Sequence, residues 1–201
     1  MDTKHLIICL PGKREGFVKN QLDFYNFQAE VISAISGSEL KNSKEFSVVP
    51  DSYKLDSEQR SWNHFACHLS WIKALQFAKR NNYGRFVIYE DDCQLLSNYD
   101  FQLKKVIDEL TEKWVFVNLG VRELDNLTVI KDKQYLAEIK RTVTGAQSIL
   151  FNGQQVDRVL YQLLSWKNWV EILSTRITFP KFATYPALTR QSEDLPTNIR
   201  N

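Results

Sequence analysis

Three adjacent carboxylates, Glu90, Asp91 and Asp92, are the side chains of this sequence best placed to do chemistry. They follow directly on residues 85–89, a short and largely apolar run that predicts a buried strand. In open α/β sheets, ligands bind at the carboxyl ends of strands. Three like charges at such an end repel one another, and the cluster becomes favourable when a divalent cation and a phosphate-bearing ligand share the site. The alternative is an acidic turn that only caps the next helix.

Carboxylate oxygens at this position suit Mg²⁺ or Mn²⁺. Phosphoryl chemistry, sugar-nucleotide binding and plain metal binding all fit such a cluster. The sequence contains no Walker lysine loop and no G-x-G-x-x-G after the first predicted strand, which disfavours a P-loop phosphotransferase and a dinucleotide enzyme. No Ser-His-Asp or Cys-His nucleophile arrangement is recognisable either.

Two pairs of residues nearer the N-terminus carry weaker signals. Lys13 and Arg14 follow the first predicted strand, where they could meet a phosphate or a base, although ordinary solvated charges explain them equally well. His64 and His68 stand four residues apart, a spacing that can bind zinc on a helix. No glutamate in the protease arrangement and no third ligand accompany them, so we expect packing or solvent exposure instead.

The last third of the chain offers candidates for proton transfer and sugar contact. Glu171, Glu193 and Asp194 are the downstream carboxylates that could act as a general base. Trp166 and Trp169 could provide aromatic platforms for sugar C–H groups, but ordinary core packing is the better expectation for them.

Strands that alternate with helices must position these residues. This order predicts an α/β fold with a mainly parallel sheet covered by helices on both faces. Residues 42–59 are polar, contain Pro50 and predict a surface loop, and Ser61 is the expected N-cap of the longest helix. The expected strands are 5–10, 29–35, 86–89, 114–119, part of 143–151 and 182–188; the expected helices are 17–26, 61–80, 99–112, 156–166 and 170–173.

The composition predicts one compact domain over residues 1–201, with a hydrophobic fraction of 43%. The formal charge of +2, from 26 basic and 24 acidic residues, gives no reason to expect a nucleic-acid partner. No stretch is long enough to span a bilayer or suited to a signal peptide. Three widely spaced cysteines indicate a reduced chain and a cytoplasmic location. Peripheral association with a membrane is compatible with these features.

Several segments together carry a resemblance to a known family. The most specific block runs from Ala66-Cys67-His68-Leu69-Ser70-Trp71 to the strand that leads into Glu90-Asp91-Asp92. Segments 6–14, 27–37, 144–151, 185–188 and 191–199 add weaker matches. With these segments the chain resembles glycosyltransferase family 25, the lipooligosaccharide-biosynthesis type of GT-A glycosyltransferase. It departs from the family pattern at Ala66, where the family has glycine, and at Trp71, where the family has histidine.

The resemblance implies a single GT-A-like domain, related to the Rossmann fold, that transfers a sugar from a nucleotide donor to a hydroxyl acceptor on a glycan or glycoconjugate. It implies a UDP-sugar donor, inversion at the sugar, a nucleotide-binding half over residues 1–120 and an acceptor half over residues 121–201. The chain is short for the family, so acceptor-binding elements are expected to be trimmed or supplied by another domain. The implied roles are donor binding by Leu10, Pro11, Arg14, Glu90 and Asp91, coordination of Mn²⁺ or Mg²⁺ by Asp92 with Glu90, and general base catalysis by Glu171 or Asp194.

Two other functions stay open at this point. A sugar nucleotidyltransferase also uses carboxylates and a metal on an α/β sheet, but residues 10–14 are a poor version of the glycine-rich basic loop that it needs. A non-catalytic module that binds a sugar nucleotide or a partner protein would explain the altered helix motif and the short chain.

Overall fold

Short apolar runs and longer amphipathic segments give this chain alternating strands and helices. The structure is a computed structural model that describes residues 2–11, 14–111, 113–122, 124–141, 143–165 and 181–193. In these ranges the strands are β1 (Lys4–Cys9), β2 (Ala29–Ser33), β3 (Arg85–Glu90), β4 (Cys93–Leu95), β5 (Phe116–Asn118), β6 (Leu127–Val129), β7 (Leu136–Ile139), β8 (Ser148–Asn152), β9 (Phe182–Thr184) and β10 (Thr189–Gln191). The helices are α1 (Glu15–Phe24), α2 (Gly37–Asn42), α3 (Glu58–Arg80), α4 (Tyr99–Glu109) and α5 (Val156–Leu164).

Within the described residues, eight strands form one sheet in the order β2-β1-β3-β8-β5-β9-β7-β6. β1 is buried almost throughout and pairs in parallel with β2 and β3, as continuous apolar runs in covered sheets do. In this register Cys9 lies opposite Ser33, and Ile8 lies opposite Glu90. The carboxyl ends of β1, β2 and β3 therefore meet at one edge of the sheet, which is where the three carboxylates begin.

The α/β architecture is confirmed, with more antiparallel pairing than a mainly parallel sheet would have. β8 runs antiparallel between β3 and β5, and β7 runs antiparallel to both β9 and β6. A short connection explains the β6–β7 pair, because a parallel crossover needs a dozen or more residues whereas these strands are joined by residues 130–135 alone. A second small sheet pairs β10 with β4 in the antiparallel sense.

Helices cover both faces of the sheet, as expected. Successive side chains of β3 point to opposite faces. Phe86 and Ile88 belong to a core that includes buried residues of α3 and α5. Val87 and Tyr89 belong to a second core that includes buried residues of α1 and α4. β3 is thus packed on both faces. The three carboxylates at its end, Glu90, Asp91 and Asp92, form an acidic tip that starts from this buried strand.

The region before α3 differs from the sequence-based expectation. Ser57, and not Ser61, is the N-cap, because its hydroxyl accepts a hydrogen bond from Arg60 N. Ser61 lies inside the helix and donates to Ser57 O, a back-bonded arrangement typical of helix interiors. Residues 42–59 are not simply a surface loop either. They contain a 3₁₀ turn at Asp51–Tyr53, and Tyr53 is fully buried beside α3.

The two histidines at zinc-binding spacing are packing residues, as the missing third ligand indicated. His68 is buried and donates from Nε2 to Leu163 O at 3.0 Å, which ties α3 to the end of α5. His64 lies edge-on to Tyr53. A third histidine, His5 on β1, is buried and hydrogen-bonds Tyr89 Oη at 2.8 Å. Burial lowers the pKa of His5 and of His68 to about 4.

These buried histidines should make the fold sensitive to acid. Because their pKa is lower in the folded protein, these histidines bind protons more readily in the unfolded chain. Their contribution to the free energy of unfolding is therefore complete above the ordinary histidine pKa of about 6.5 and is lost as the pH falls towards 4. Each of these two histidines can contribute about 3 kcal/mol to that loss. We expect the free energy of unfolding from urea titrations at pH 7, 5.5 and 4.5 to fall by several kcal/mol in total.

The matched control is His68→Gln, which keeps a donor near Leu163 O but does not titrate in this range. Its unfolding free energy should fall less steeply than that of the wild type between pH 6.5 and 4.5. Equal slopes for the two proteins would contradict the assignment of acid sensitivity to His68.

Candidate active site

A cavity of about 120 Å³ opens at the sheet edge where β1, β2 and β3 end. Its wall combines the acidic tip after β3, the start of the loop after β1, the turn after β2 and one face of α3. This is the arrangement that the strand register predicts for a ligand site in an α/β sheet. The cavity is lined by Ile8, Leu10, Arg14, Ala34, Ile35, Gly37, Asn63, Cys67, Ser70, Glu90, Asp91, Asp92 and Gln191.

Glu90 ends β3 and is held by α3. Its Oε1 accepts a hydrogen bond from Trp71 Nε1 at 3.0 Å and a longer one from Cys67 Sγ at 3.6 Å. Cys67 and Trp71 are four residues apart and therefore lie on the same face of the helix. The Glu90 carboxylate consequently sits at the cavity wall with one oxygen bound to donors behind it.

Asp91 pairs with Arg14, which comes from the other side of the cavity. Arg14 lies at the N-terminus of α1, and its guanidinium is 3.5 Å from the Asp91 carboxylate, with both side chains largely buried. Burial raises the pKa of Asp91, and the positive charge of Arg14 together with a hydrogen bond from the Leu10 backbone opposes that rise. The loop after β1 is thus joined electrostatically to the acidic tip.

Asp92 is the most deeply buried of the three carboxylates, with 5% of its surface exposed. Its Oδ2 accepts a hydrogen bond from Gln191 Nε2 at 2.7 Å, and its backbone oxygen accepts from Ser192 N at 2.8 Å. Arg122 donates to Gln191 Oε1, which leaves the amide nitrogen of Gln191 directed at Asp92. Asp92 Oδ1 is buried and has no hydrogen-bond partner among the described residues.

An unpaired buried carboxylate oxygen is costly in a folded protein unless a ligand satisfies it. A hard divalent cation is the natural ligand for it. The described residues contain no group of three or more His, Cys, Asp or Glu side chains arranged to hold a metal by themselves. Asp92 nevertheless fits Mg²⁺-type binding, in which one or two carboxylates act with substrate phosphates and water.

The acidic tip does not cap a helix, so that alternative is wrong. The short strand β4 follows it at Cys93, and α4 begins only at Tyr99. Four of the five expected donor-site residues line the cavity, namely Leu10, Arg14, Glu90 and Asp91, whereas Pro11 is exposed and does not. Other expected residues lie outside the described part of the chain: Lys13, Trp166, Trp169, Glu171 and Asp194.

Several cavity residues could not be assigned from the sequence. Gln191 is 99 positions from Asp92, and no local pattern links them. Gly37 is required by close packing, because a Cβ there would lie 2.7 Å from Asn63 N. Cys67 lines the cavity, whereas Cys9 and Cys93 are buried. All three thiols are free.

A sequence model of glycosyltransferase family 25, described as an LPS biosynthesis protein, matches residues 2–164. The match covers most of the chain and includes every strand and helix around the cavity except β10. The chain belongs to glycosyltransferase family 25. Membership of this family implies glycosyltransferase activity with a sugar donor and an acceptor, and it confirms the resemblance found in the sequence.

Two solved structures that resemble the chain are distant likenesses. No curated protein sequence matches the chain. Among solved structures, A197 from STIV is 10% identical with a TM-score of 0.47, over 98% of this chain and 97% of that one. The mannose-1-phosphate geranyltransferase from Thermus thermophilus is 11% identical with a TM-score of 0.46, over 92% of this chain and 74% of that one. At these values neither likeness bears on function. None of the described helices combines the length and the apolar character needed to cross a bilayer.

Proposed function

We propose that this family 25 protein transfers a hexose from a UDP-sugar to a hydroxyl group of a glycan or glycoconjugate, with a divalent cation bound at Asp92. The observation that carries the proposal is Asp92, which lines the same cavity as Arg14 and whose buried Oδ1 has no hydrogen-bond partner among the described residues. A carboxylate oxygen for a cation and a guanidinium for phosphate oxygens are the two groups that a nucleoside diphosphate needs.

The rest of the wall supports a nucleotide occupant. Leu10, Ala34 and Ile35 provide apolar contact in the cavity lining, and Glu90 provides a carboxylate. The cavity volume of about 120 Å³ suits part of a nucleotide and not the whole donor. In the proposed arrangement part of the nucleoside occupies this cavity, and the diphosphate extends over the acidic tip.

Arg14 and Asp92 have different roles towards the diphosphate in this proposal: Arg14 contacts phosphate oxygens, and Asp92 binds the cation. Arg14 is paired with Asp91 at 3.5 Å, a distance loose enough for the guanidinium to turn towards a phosphate oxygen. Gln191 fixes Oδ2 of Asp92, and Oδ1 is then the oxygen without a hydrogen-bond partner among the described residues. Asp92, with Glu90 nearby, would hold Mn²⁺ or Mg²⁺, which would supply Lewis-acid stabilisation of the charge on the UDP leaving group.

Transfer with inversion needs a carboxylate that deprotonates the acceptor hydroxyl. Glu171 and Asp194 are the proposed bases. Neither lies among the described residues, so the proposal rests on the sequence alone. Replacing each in turn with its amide should identify the base. The correct substitution lowers kcat by at least about a hundredfold and leaves UDP affinity unchanged, as expected for a group that acts only in the proton transfer.

The test of the proposed function is a thermal-shift panel of nucleotide sugars with and without Mn²⁺, followed by an assay of UDP release. A donor that binds the native state raises its melting temperature by mass action. We expect a UDP-sugar to do so only with Mn²⁺, and to release UDP slowly without acceptor. Pyrophosphate release from UTP and a sugar phosphate would instead indicate a nucleotidyltransferase, and no response to any nucleotide would contradict the proposal.

A further inference from the structure

The side chain of Trp71 connects the hydrophobic core to the cavity. Trp71 is 1% exposed and packs edge-on against Phe151 of β8 with 6.2 Å between ring centroids. Its indole N–H donates to Glu90 Oε1 at 3.0 Å, and Glu90 lines the cavity. The ring is therefore fixed by the core while its one polar atom acts on a residue of the site.

A buried indole N–H and a carboxylate constrain one another. The indole nitrogen can only donate, so it requires an acceptor when it is buried. A hydrogen bond to a charged acceptor is among the stronger ones and is sensitive to direction. Cys67 donates to the same oxygen from one helical turn away. Cys67 and Trp71, on one face of α3, thus determine the orientation of the Glu90 carboxylate.

We propose that Trp71 is a positioning residue for nucleotide binding, which holds the Glu90 carboxylate in the orientation that accepts a hydrogen bond from a ribose hydroxyl. This inference rests on the proposed function, since it assumes that a nucleotide occupies the cavity. It separates Glu90 from Asp92 in function. Glu90 recognises the ribose with α3 behind it, and Asp92 binds the cation with Gln191 behind it.

Trp71 stands where the family 25 motif has histidine, and the geometry of the two side-chain rings explains why either residue can serve there. The five-membered rings of the two side chains superpose when their Cβ atoms coincide. Nε2 of histidine then lies where Nε1 of tryptophan lies. A histidine with its proton on Nε2 would therefore present a donor to Glu90 at the same place. Phenylalanine has a ring of similar position and no donor.

The test compares UDP with its 2′-deoxy and 3′-deoxy analogues by calorimetry, with Mn²⁺ present. The wild type should prefer UDP to at least one analogue by about tenfold, the value of one hydrogen bond to a charged group. Trp71→Phe should weaken UDP binding by about tenfold and remove most of that preference. Trp71→His should retain the preference, because it retains the donor.

Loss of volume in the core requires its own control. Trp62→Phe makes the same truncation at another buried tryptophan of α3, which packs in a cluster with Leu40 and Tyr53 and does not line the cavity. It should leave the ribose preference intact. If Trp71→Phe does not fold, 3-benzothienylalanine at position 71 keeps the ring shape and replaces the N–H with sulfur, and the same loss of preference is expected.

A double-mutant cycle with Glu90→Gln tests whether Trp71 acts through Glu90. In the Glu90→Gln background, Trp71→Phe should change UDP affinity by less than about twofold, since coupled residues have non-additive effects. Full ribose preference in Trp71→Phe or in the benzothienyl variant, or effects that add in the cycle, would overturn the positioning role and leave the proposed function standing. A wild type that binds no nucleotide would overturn both.

Discussion

Replacing Asp92 with asparagine is expected to abolish Mn²⁺-dependent binding of UDP while leaving the fold intact. Gln191 Nε2 donates to Oδ2 of the native carboxylate. In the variant the same donor selects the carbonyl oxygen of the new side-chain amide, which turns the amide NH₂ towards the place of Oδ1. A donor then faces the cation site, and one unit of negative charge is gone. The lost ligand is worth several kcal/mol, so affinity with Mn²⁺ should fall by at least about a hundredfold.

Stability provides an independent check on the same variant. Oδ1 of Asp92 is buried without a hydrogen-bond partner among the described residues. Neutralising such a group removes a desolvation cost, so the melting temperature without ligands should be unchanged or higher. Asp125→Asn, in an exposed 3₁₀ turn away from the cavity, is the matched control and should behave as the wild type does. UDP affinity with Mn²⁺ that matches the wild type in Asp92→Asn would contradict the metal role.

Replacing Gly145 with alanine is expected to cost the fold about 3 kcal/mol. Gly145 has φ of 97°, a conformation that side chains with a Cβ rarely adopt. A Cβ there would also lie 2.3 Å from Gly120 O, so relief requires the backbone to move. The nearby Gln147 donates from Nε2 to Gly120 O, and its backbone oxygen accepts from Glu90 N, which connects this contact to the acidic tip.

Gly16→Ala is the matched control for that change. Gly16 is exposed in the first turn of α1, and the nearest atom to an added Cβ is Asn20 Nδ2 at 3.7 Å. Alanine there should be neutral or stabilising by up to about 1 kcal/mol. Urea unfolding of both variants measures the difference. A loss below about 1 kcal/mol in Gly145→Ala would show that the Gly120 contact does not constrain the backbone as described.

Local patterns were sufficient to predict the strand and the tip that carry the candidate site. The apolar run before Glu90 predicted β3, and the apolar run over residues 5–10 predicted β1. Both follow from burial and backbone preference within a few residues. The α/β class followed from the alternation of such elements, and the resemblance to family 25 rested on the same segments.

Contacts between distant segments could not be predicted in this way. Tyr53 is fully buried although the residues around it are polar and show no helical or strand periodicity. It is buried because it packs against Phe65 of α3, which follows it in the sequence. The pairing of Gln191 with Asp92 and of Trp71 with Glu90 depends on the sheet order and on how α3 lies on it. Nothing in a local window specifies that order, which includes β8 between β3 and β5.

The most direct test of the cation site is a crystal of the protein grown with UDP and Mn²⁺ and measured for anomalous scattering from manganese. We expect one strong anomalous peak at coordination distance from Asp92 Oδ1 and from oxygens of the UDP diphosphate. Bound UDP with the manganese peak elsewhere, or with Asp92 Oδ1 facing only protein atoms, would contradict the account.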